Sequence, residues 1–186
     1  MFLVSPNTTG YEDGFLIRAD KNPNSSGARA LGFNAADHVI EKLLDEAETG
    51  KLKGLYIFGQ DIVSLYGEDA KKLIKKLEFV VFQGSHRNET APLCSVVFPA
   101  AVFAEQEGTF TNCDGYVQRF FAAFPPLPDA KGGIEILSGL ARELGIKLPG
   151  ENAKDIFYQL SQNSLAFKGM SYENLRRIIL EKATIC

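Results

Sequence analysis

Three short apolar runs constrain the fold of this 186-residue chain more than any other feature. They occupy residues 55–58, 79–82 and 96–98, and helix-sized segments or connections separate them. An uninterrupted apolar run is typical of a strand that is buried on both faces, as in parallel sheets. The pattern therefore predicts the α/β class, with an open, mostly parallel sheet and helices on both faces.

The rest of the chain adds helices and one hairpin to this sheet. Apolar residues at helical spacing follow Asn34, a possible cap, and a second helical stripe begins near Glu68. An Asp-Gly pair at residues 114–115 separates two β-prone runs and predicts a β-hairpin near residues 109–120. The C-terminal third is predicted to be helical, with Asn152 and Ser171 as the caps of its last two helices.

We predict a single α/β domain over residues 1–186, with a core at about residues 34–145 and a helical extension at about residues 150–183. Residues 1–33 are rich in Gly, Asn, Ser and Pro, which is typical of connecting segments. A chain that opens on connections resembles the middle of a domain. We therefore expect a fragment of a larger subunit.

The charge distribution argues against nucleic acid as a partner. The net charge is −3, with 11 basic and 13 acidic residues in positions 1–93 and 9 and 10 in positions 94–186. Neither half carries the basic surface that binds phosphate backbones. No apolar run approaches the roughly 18–20 residues of a membrane span. We expect a cytoplasmic domain with no direct membrane insertion.

The chain offers little material for catalysis or metal binding. Cys94, Cys113 and Cys186 are widely and irregularly spaced, so they predict neither a zinc site nor an iron–sulfur cluster. Ser85 and His86 are neighbours in sequence, which does not by itself make a nucleophile–base pair. We predict no catalytic residue and no metal site in this chain.

Glycine and polar residues follow the first two apolar runs, and Pro-Ala-Ala follows the third. The three sequences are Gly59-Gln60-Asp61, Gln83-Gly84-Ser85 and Pro99-Ala100-Ala101. In an open parallel sheet, ligands bind beyond the carboxyl ends of the strands. These residues are compatible with a crevice for a nucleotide, but composition alone favours their interpretation as ordinary turn residues.

Four blocks between Gly54 and Gln118 resemble the molybdopterin-dinucleotide oxidoreductase superfamily. They are residues 54–59, 79–83, 88–91, and 96–101 continuing to 105–112 and on through Gly115, Val117 and Gln118. With similar segments at residues 24–32 and 135–145, the resemblance covers about residues 15–180. Within the superfamily, the chain looks most like the C-terminal part of the large iron–sulfur subunit of respiratory NADH–quinone oxidoreductase (complex I).

The resemblance implies a cofactor site and also its loss. In cofactor-bearing relatives this domain holds part of a molybdopterin guanine dinucleotide. By position, nucleotide contacts would fall at Gly59 and Gln83, and pterin-side contacts would fall at the following hairpin residues: Gly108, Thr109, Asn112 and Gln118. Other positions depart from the family pattern, notably Gly84 in place of Asp and Tyr116 in place of Arg. These departures imply a domain that has kept the fold and lost the cofactor.

Our main hypothesis from sequence is a structural domain of the large complex I subunit, which supports electron transfer from NADH to quinone. It would have no cofactor, no redox centre and no activity of its own, and the iron–sulfur clusters would belong to an N-terminal region absent here. Its partners would be the remaining domains of the same polypeptide and other complex I subunits, at the inner face of the cell membrane.

Two alternatives remain open from the sequence. One is a cofactor-binding fragment of a molybdopterin-dependent oxidoreductase such as a formate dehydrogenase. The other is a free-standing nucleotide-binding module.

Overall fold

The computed structural model describes residues 10–15, 17–33 and 38–177. Asn34, predicted as a helix cap, and the predicted extension beyond residue 177 lie outside these residues. The described chain forms five α-helices, which are α1 (Ser25–Ala30), α2 (Val39–Glu48), α3 (Ile62–Lys76), α4 (Gly133–Glu143) and α5 (Ala153–Asn163). It also forms six strands, which are β1 (Gly54–Phe58), β2 (Phe79–Gly84), β3 (Val96–Pro99), β4 (Gly108–Thr111), β5 (Val117–Phe120) and β6 (Arg176–Arg177).

The predicted parallel sheet is confirmed. Its strand order is β1-β2-β3, and both neighbouring pairs are parallel. Residues 80–83 of the central strand β2 are all buried, which explains why this run alternates so little. The sheet therefore brings the carboxyl ends of all three apolar runs to one edge.

Helices α2 and α3 cover one face of the parallel sheet. Their apolar stripes and that face form one core cluster of buried side chains: Val39, Ile40, Leu43, Ile57, Val63, Ala70, Leu73, Ile74, Val80 and Phe82. Burial of a side chain of this size stabilises the fold by about 1.5–3 kcal/mol. On the opposite face, Phe58 and Gln83 lie next to Gly133, the first residue of α4.

A polar joint connects the start of α3 to the segment after β2. The Thr90 side chain is fully buried, and its hydroxyl accepts a hydrogen bond from the Val63 N–H (3.0 Å) and donates one to Asp61 (2.6 Å). Asp61 also caps α3 by accepting from the Ser64 N–H and hydroxyl. Within α3, Gly67 has φ 54° and ψ −127°, so the helix is kinked there.

The second sheet contains the predicted hairpin, which is confirmed. Strands β4 and β5 pair antiparallel, and the two-residue strand β6 pairs parallel with β5. Asn24, which precedes α1, accepts a hydrogen bond from the Thr111 N–H at 2.8 Å. This bond fastens the N-terminal segment of the chain to β4.

The helical prediction for the C-terminal third is correct for α4 and α5 and wrong for the last helix. Ser171 precedes a short 3₁₀ turn, Tyr172–Asn174, and then strand β6. The Tyr172 ring is buried against Phe157, with ring centroids 5.7 Å apart, and the edge of β5 offers backbone partners to β6. Packing and strand pairing thus override a helical pattern that is only a few residues long.

The buried face of α4 leaves several apolar side chains of this helix exposed. Ile136 and Ala141 are buried, whereas Leu137 and Leu144 are 44% and 64% exposed. The helix therefore presents part of its apolar surface outward in this chain. In the described part of the chain, no helix combines the length and apolarity that crossing a membrane requires.

Candidate functional site

A crevice lies at the carboxyl ends of β1, β2 and β3, where a parallel sheet binds its ligands. Its volume is about 110 Å³. The lining residues lie at or just after the ends of the three strands, or come from neighbouring segments: Phe58, Gly59, Gln83, Gly84, Ser85, Ala100, Ala101, Gln106 and Gly133. The structure brings together six of the nine residues named after the apolar runs, whereas Gln60, Asp61 and Pro99 do not line the crevice.

Two of the six predicted cofactor contacts, Gly59 and Gln83, are in this crevice. Gly59 directly follows β1 with φ +68°, and its N–H donates to the Gln83 carbonyl at 2.7 Å. A side chain at position 59 would be strained because L-residues rarely adopt this φ. The turn therefore leaves bare backbone at the rim of the crevice.

The Gln83 side chain is the most unusual group in the crevice. It is 1% exposed, and its Oε1 accepts a hydrogen bond from the Tyr56 hydroxyl at 2.5 Å. Its Nε2 is buried and has no hydrogen-bond partner. Burial also raises the pKa of Tyr56, which keeps the hydroxyl protonated. An unpaired buried donor costs about 1–3 kcal/mol, so a partner such as a ligand atom is expected beside it.

The start of α4 forms the opposite wall. A Cβ atom at Gly133 would lie 3.5 Å from Gln83 Nε2 and 3.6 Å from the Phe58 ring. Glycine at this position therefore leaves space between the amide and the helix. Since the N-terminus of a helix carries a partial positive charge, this wall favours an acceptor or anionic group.

Gln106 holds that wall in place, and sequence reasoning missed both Gln106 and Gly133. Gln106 Oε1 accepts from the Gly133 N–H at 3.1 Å, and its Nε2 donates to the Ala101 carbonyl at 3.2 Å. The side chain thus joins the segment after β3 to the start of α4. The pair Gly132-Gly133 before an apolar helical stripe was the one available signal.

The four predicted hairpin contacts, Gly108, Thr109, Asn112 and Gln118, do not line the crevice. A Cβ at Gly108 would lie 3.1 Å from the Phe120 ring, so glycine there accommodates packing. Asn112 Oδ1 accepts from the backbone N–H groups of Asp114 (3.0 Å) and Tyr116 (2.9 Å), which shapes the hairpin turn. Thr109 and Gln118 lie within the paired strands β4 and β5.

Asp61 follows β1 in sequence, but its carboxylate accepts hydrogen bonds within the polar joint at the start of α3. Partial burial would raise the pKa of Asp61, but hydrogen bonds from Ser64, Thr90 and the Glu89 N–H outweigh that effect and lower it to about 2. The carboxylate is therefore charged at neutral pH and serves the fold. It does not line the crevice.

Ser85 and His86 meet at the crevice rim. The Ser85 hydroxyl and His86 Nδ1 are 2.8 Å apart, and both side chains are exposed. In the described ranges, no three His, Cys, Asp or Glu side chains gather as metal ligands. The described geometry can bind and orient a ligand through amide and backbone donors.

The packing of Phe82 favours glycine at position 84. A Cβ at this position would lie 2.5 Å from the Phe82 ring, and Phe82 is 1% exposed in the core. A larger residue would force the ring to move. The space beside Gly84 is thus filled by Phe82, and the crevice carries no carboxylate at this point.

Comparison with known proteins gives one family match and several relatives. The model of the family described as Molybdopterin oxidoreductase matches residues 8–143. The chain is 35% identical over 167 residues to YrhE, a putative formate dehydrogenase of Bacillus subtilis (strain 168), covering 89% of this chain and 16% of that protein. It is 35% identical over 185 residues to the F420-dependent formate dehydrogenase subunit alpha of Methanocaldococcus jannaschii, covering 93% of this chain and 25% of the relative.

The name of a third relative does not mention formate. The NADPH-Fe(3+) oxidoreductase subunit alpha of Geobacter sulfurreducens is 38% identical over 120 residues, which are 63% of this chain and 14% of that protein. The chain therefore spans a quarter or less of the length of these relatives.

Proposed function

Because the chain belongs to the molybdopterin oxidoreductase family, we propose that it holds one end of a molybdopterin guanine dinucleotide in a formate dehydrogenase-like oxidoreductase. The observation that carries this proposal is the buried, unpaired Nε2 of Gln83 in the strand-end crevice. When bound, a molybdenum pterin supplies a redox centre. The residues of this chain would bind and orient it.

The size of the crevice limits what this chain would hold. Whole ligand pockets measure roughly 300–1,000 Å³, whereas this crevice has about 110 Å³. Its residues therefore suit one heterocycle or one phosphate of a dinucleotide. In this proposal, parts of the protein that correspond to the rest of the relatives would contact the remainder of the cofactor.

The relatives support the formate dehydrogenase-like alternative better than the main hypothesis from sequence. Two of the three relatives have formate dehydrogenase in their names. The predicted similarity to the large complex I subunit is not confirmed at that level. The part of the sequence hypothesis that stands is an oxidoreductase of the molybdopterin family.

We also propose that the partners of this domain are other domains of the same polypeptide. The connector at residues 121–129 is exposed throughout, and the Ala123 N–H bonds to the Ala104 carbonyl at 2.7 Å, next to Phe103. The connector and Phe103 together expose four large apolar side chains: Phe103, Phe121, Phe124 and Leu127. Contiguous exposed apolar surface is typical of interfaces.

The direct test is to isolate the intact native protein and measure its pterin, its molybdenum and its oxidation of formate. The reaction converts formate into carbon dioxide, one proton and two electrons, which reduce two molecules of a one-electron viologen dye. We expect about one pterin dinucleotide or more per chain, together with formate-dependent dye reduction. A full-length protein with neither pterin nor formate oxidation would contradict the proposal.

The complex I hypothesis remains the second candidate because of one observation. Phe82 fills the space beside Gly84, so the crevice lacks the side chain that cofactor-bearing relatives were expected to carry there. This candidate predicts a protein without pterin that fractionates with membrane-bound NADH dehydrogenase activity. A protein of about 20.4 kDa without pterin, free of larger partners, would instead favour the nucleotide-binding module.

A further inference from the structure

The carboxamide of Gln83 has two chemically opposite ends, and one neighbour determines which end is free. Its oxygen accepts hydrogen bonds and its nitrogen donates them, so a rotation of 180° would exchange acceptor for donor. Tyr56 lies on β1 and Gln83 on β2, and the register pairs Tyr56 with Val81 and Phe58 with Gln83. The two side chains are therefore diagonal neighbours on one face of the sheet.

The Tyr56 hydroxyl donates a hydrogen bond to the oxygen of the Gln83 carboxamide. The distance from the hydroxyl to Gln83 Oε1 is 2.5 Å. If the amide were reversed, its nitrogen would bond the phenolic oxygen, and the phenolic hydrogen and the amide oxygen would both lose their partner. Because each unmet buried polar group costs free energy, the observed orientation is the favoured one.

This orientation turns the nitrogen toward the start of α4. Gln83 Nε2 has no partner, and it lies 3.5 Å from the position that a Cβ of Gly133 would occupy. The helix N-terminus on that side carries a partial positive charge. The amide and the helix therefore both favour a ligand atom that accepts hydrogen bonds.

We propose that Tyr56 is a positioning residue that sets the ligand preference of the crevice, because it fixes Gln83 as a donor toward an acceptor oxygen of a nucleotide. This inference rests on the proposed function, since it assumes that the crevice binds part of a nucleotide cofactor. The acceptor is either the ring carbonyl of an oxopurine or a phosphate oxygen. Tyr56 itself contacts Gln83 and acts through it.

The test uses the full-length protein, produced in cells that make no molybdopterin, and titrates it with inosine monophosphate and adenosine monophosphate. These probes share the ribose and phosphate and differ in the carbonyl or amino group at C6 and in the proton on N1. For a ring carbonyl at Gln83, we expect inosine monophosphate to bind about tenfold more tightly, which corresponds to one hydrogen bond. Tyr56→Phe should reduce this preference to about threefold or less.

A phosphate oxygen at Gln83 gives a different pattern. Both nucleotides would then bind equally, inorganic phosphate would compete with them, and Tyr56→Phe would weaken both by the same factor. Tyr158→Phe is the matched control, because Tyr158 on α5 is 60% exposed and does not line the crevice. It should leave both affinities unchanged.

A second variant tests the same site without altering the Tyr56 hydrogen bond. Gly133→Ala places a methyl group next to Gln83 Nε2 at ordinary contact distances, so the protein should fold and bind the preferred nucleotide more weakly. The inference is overturned if Tyr56→Phe, folded as judged by its melting temperature, changes neither affinity nor preference. It is also overturned if the cofactor-free protein binds neither nucleotide.

The outcomes separate this inference from the proposed function. A native protein that contains pterin, together with an inert Tyr56→Phe substitution, would refute only the role of Tyr56. A native protein without pterin, whose empty crevice still shows the Tyr56-dependent preference, would refute only the proposed enzyme.

Discussion

The parallel sheet and the hairpin sheet use similar amide side chains in opposite ways. In the parallel sheet, Gln83 is buried with an unpaired nitrogen next to a crevice. In the hairpin sheet, the oxygen of Asn112 already accepts two backbone N–H groups of its own turn. A polar side chain whose hydrogen bonds are satisfied within its own loop has a structural role, and no ligand is needed to account for it. An unsatisfied one beside a cavity suggests a ligand.

The comparison also distinguishes two kinds of glycine. Gly108 accommodates the Phe120 ring, whereas Gly133 leaves space at the crevice. Both look alike in sequence. We expect the polar joint that matters most for stability, and the binding site, to belong to the parallel sheet. The hairpin sheet should contribute to the fold alone. Substitutions in the two sheets can test both expectations.

The largest loss of stability is expected from Thr90→Val, in the polar joint between the start of α3 and the segment after β2. Valine has a similar shape but leaves the buried Val63 N–H without its side-chain partner and removes one of the hydrogen bonds to Asp61. We expect the free energy of unfolding to fall by about 2–3 kcal/mol. Urea denaturation of the full-length protein measures this, and amide hydrogen exchange at residues 62–66 should localise it.

Thr109→Val on β4 is the matched control for that substitution. Thr109 is half-buried in a strand where valine is well accommodated, so we expect a change within about 0.5 kcal/mol. Equal losses for Thr90→Val and Thr109→Val would show that the joint has no special importance.

A smaller loss is expected from Gly67→Ala in α3. The backbone at Gly67 has φ 54° and ψ −127°, which L-residues rarely adopt, so alanine should cost about 2 kcal/mol. Gly139→Ala in α4 has the opposite expectation, because no atom lies within 4 Å of the added methyl group and alanine favours the helix by about 0.5–1 kcal/mol. The melting temperatures of the two variants should move in opposite directions. If both melting temperatures moved in the same direction, the claim that Gly67 adopts a strained backbone conformation would be contradicted.

The pH dependence of stability should report on Asp61. Its pKa is lowered from 3.8 to about 2 in the folded protein, so the folded state favours the carboxylate. The contribution is complete above pH 3.8 and disappears as the pH falls toward 2. Because the group is partly solvated, we expect about 1 kcal/mol. Asp61→Asn should flatten the stability curve in this range, and an unchanged curve would exclude this role.

Asn112→Ala tests the hairpin sheet with a modest effect. Loss of the two turn hydrogen bonds should cost about 1 kcal/mol. If the protein binds pterin as proposed, its pterin content should stay at the wild-type level, because Asn112 does not line the crevice. A specific loss of pterin in a folded Asn112→Ala protein would support the prediction that the hairpin contacts the cofactor.

The parallel sheet was predictable from sequence because burial on both faces leaves uninterrupted apolar runs. Its strand-end residues were predictable too, since the carboxyl ends of parallel strands share one edge. Gln106 and Gly133 were not, because they reach the crevice only through a contact between segments 27 residues apart. The strand β6 was missed since Arg176 and Arg177 pair with β5 across about sixty residues, and such pairing leaves no local signal.

The most direct test of the central claim is the pterin content of Gly133→Ala and Gly139→Ala, purified side by side as full-length proteins. Both substitutions add one methyl group to the same helix, and both should leave the fold at least as stable. If the crevice holds one end of the cofactor, Gly133→Ala should contain less pterin than Gly139→Ala, which should retain the wild-type amount. Equal pterin in the two proteins would contradict the claim that this crevice is the binding site.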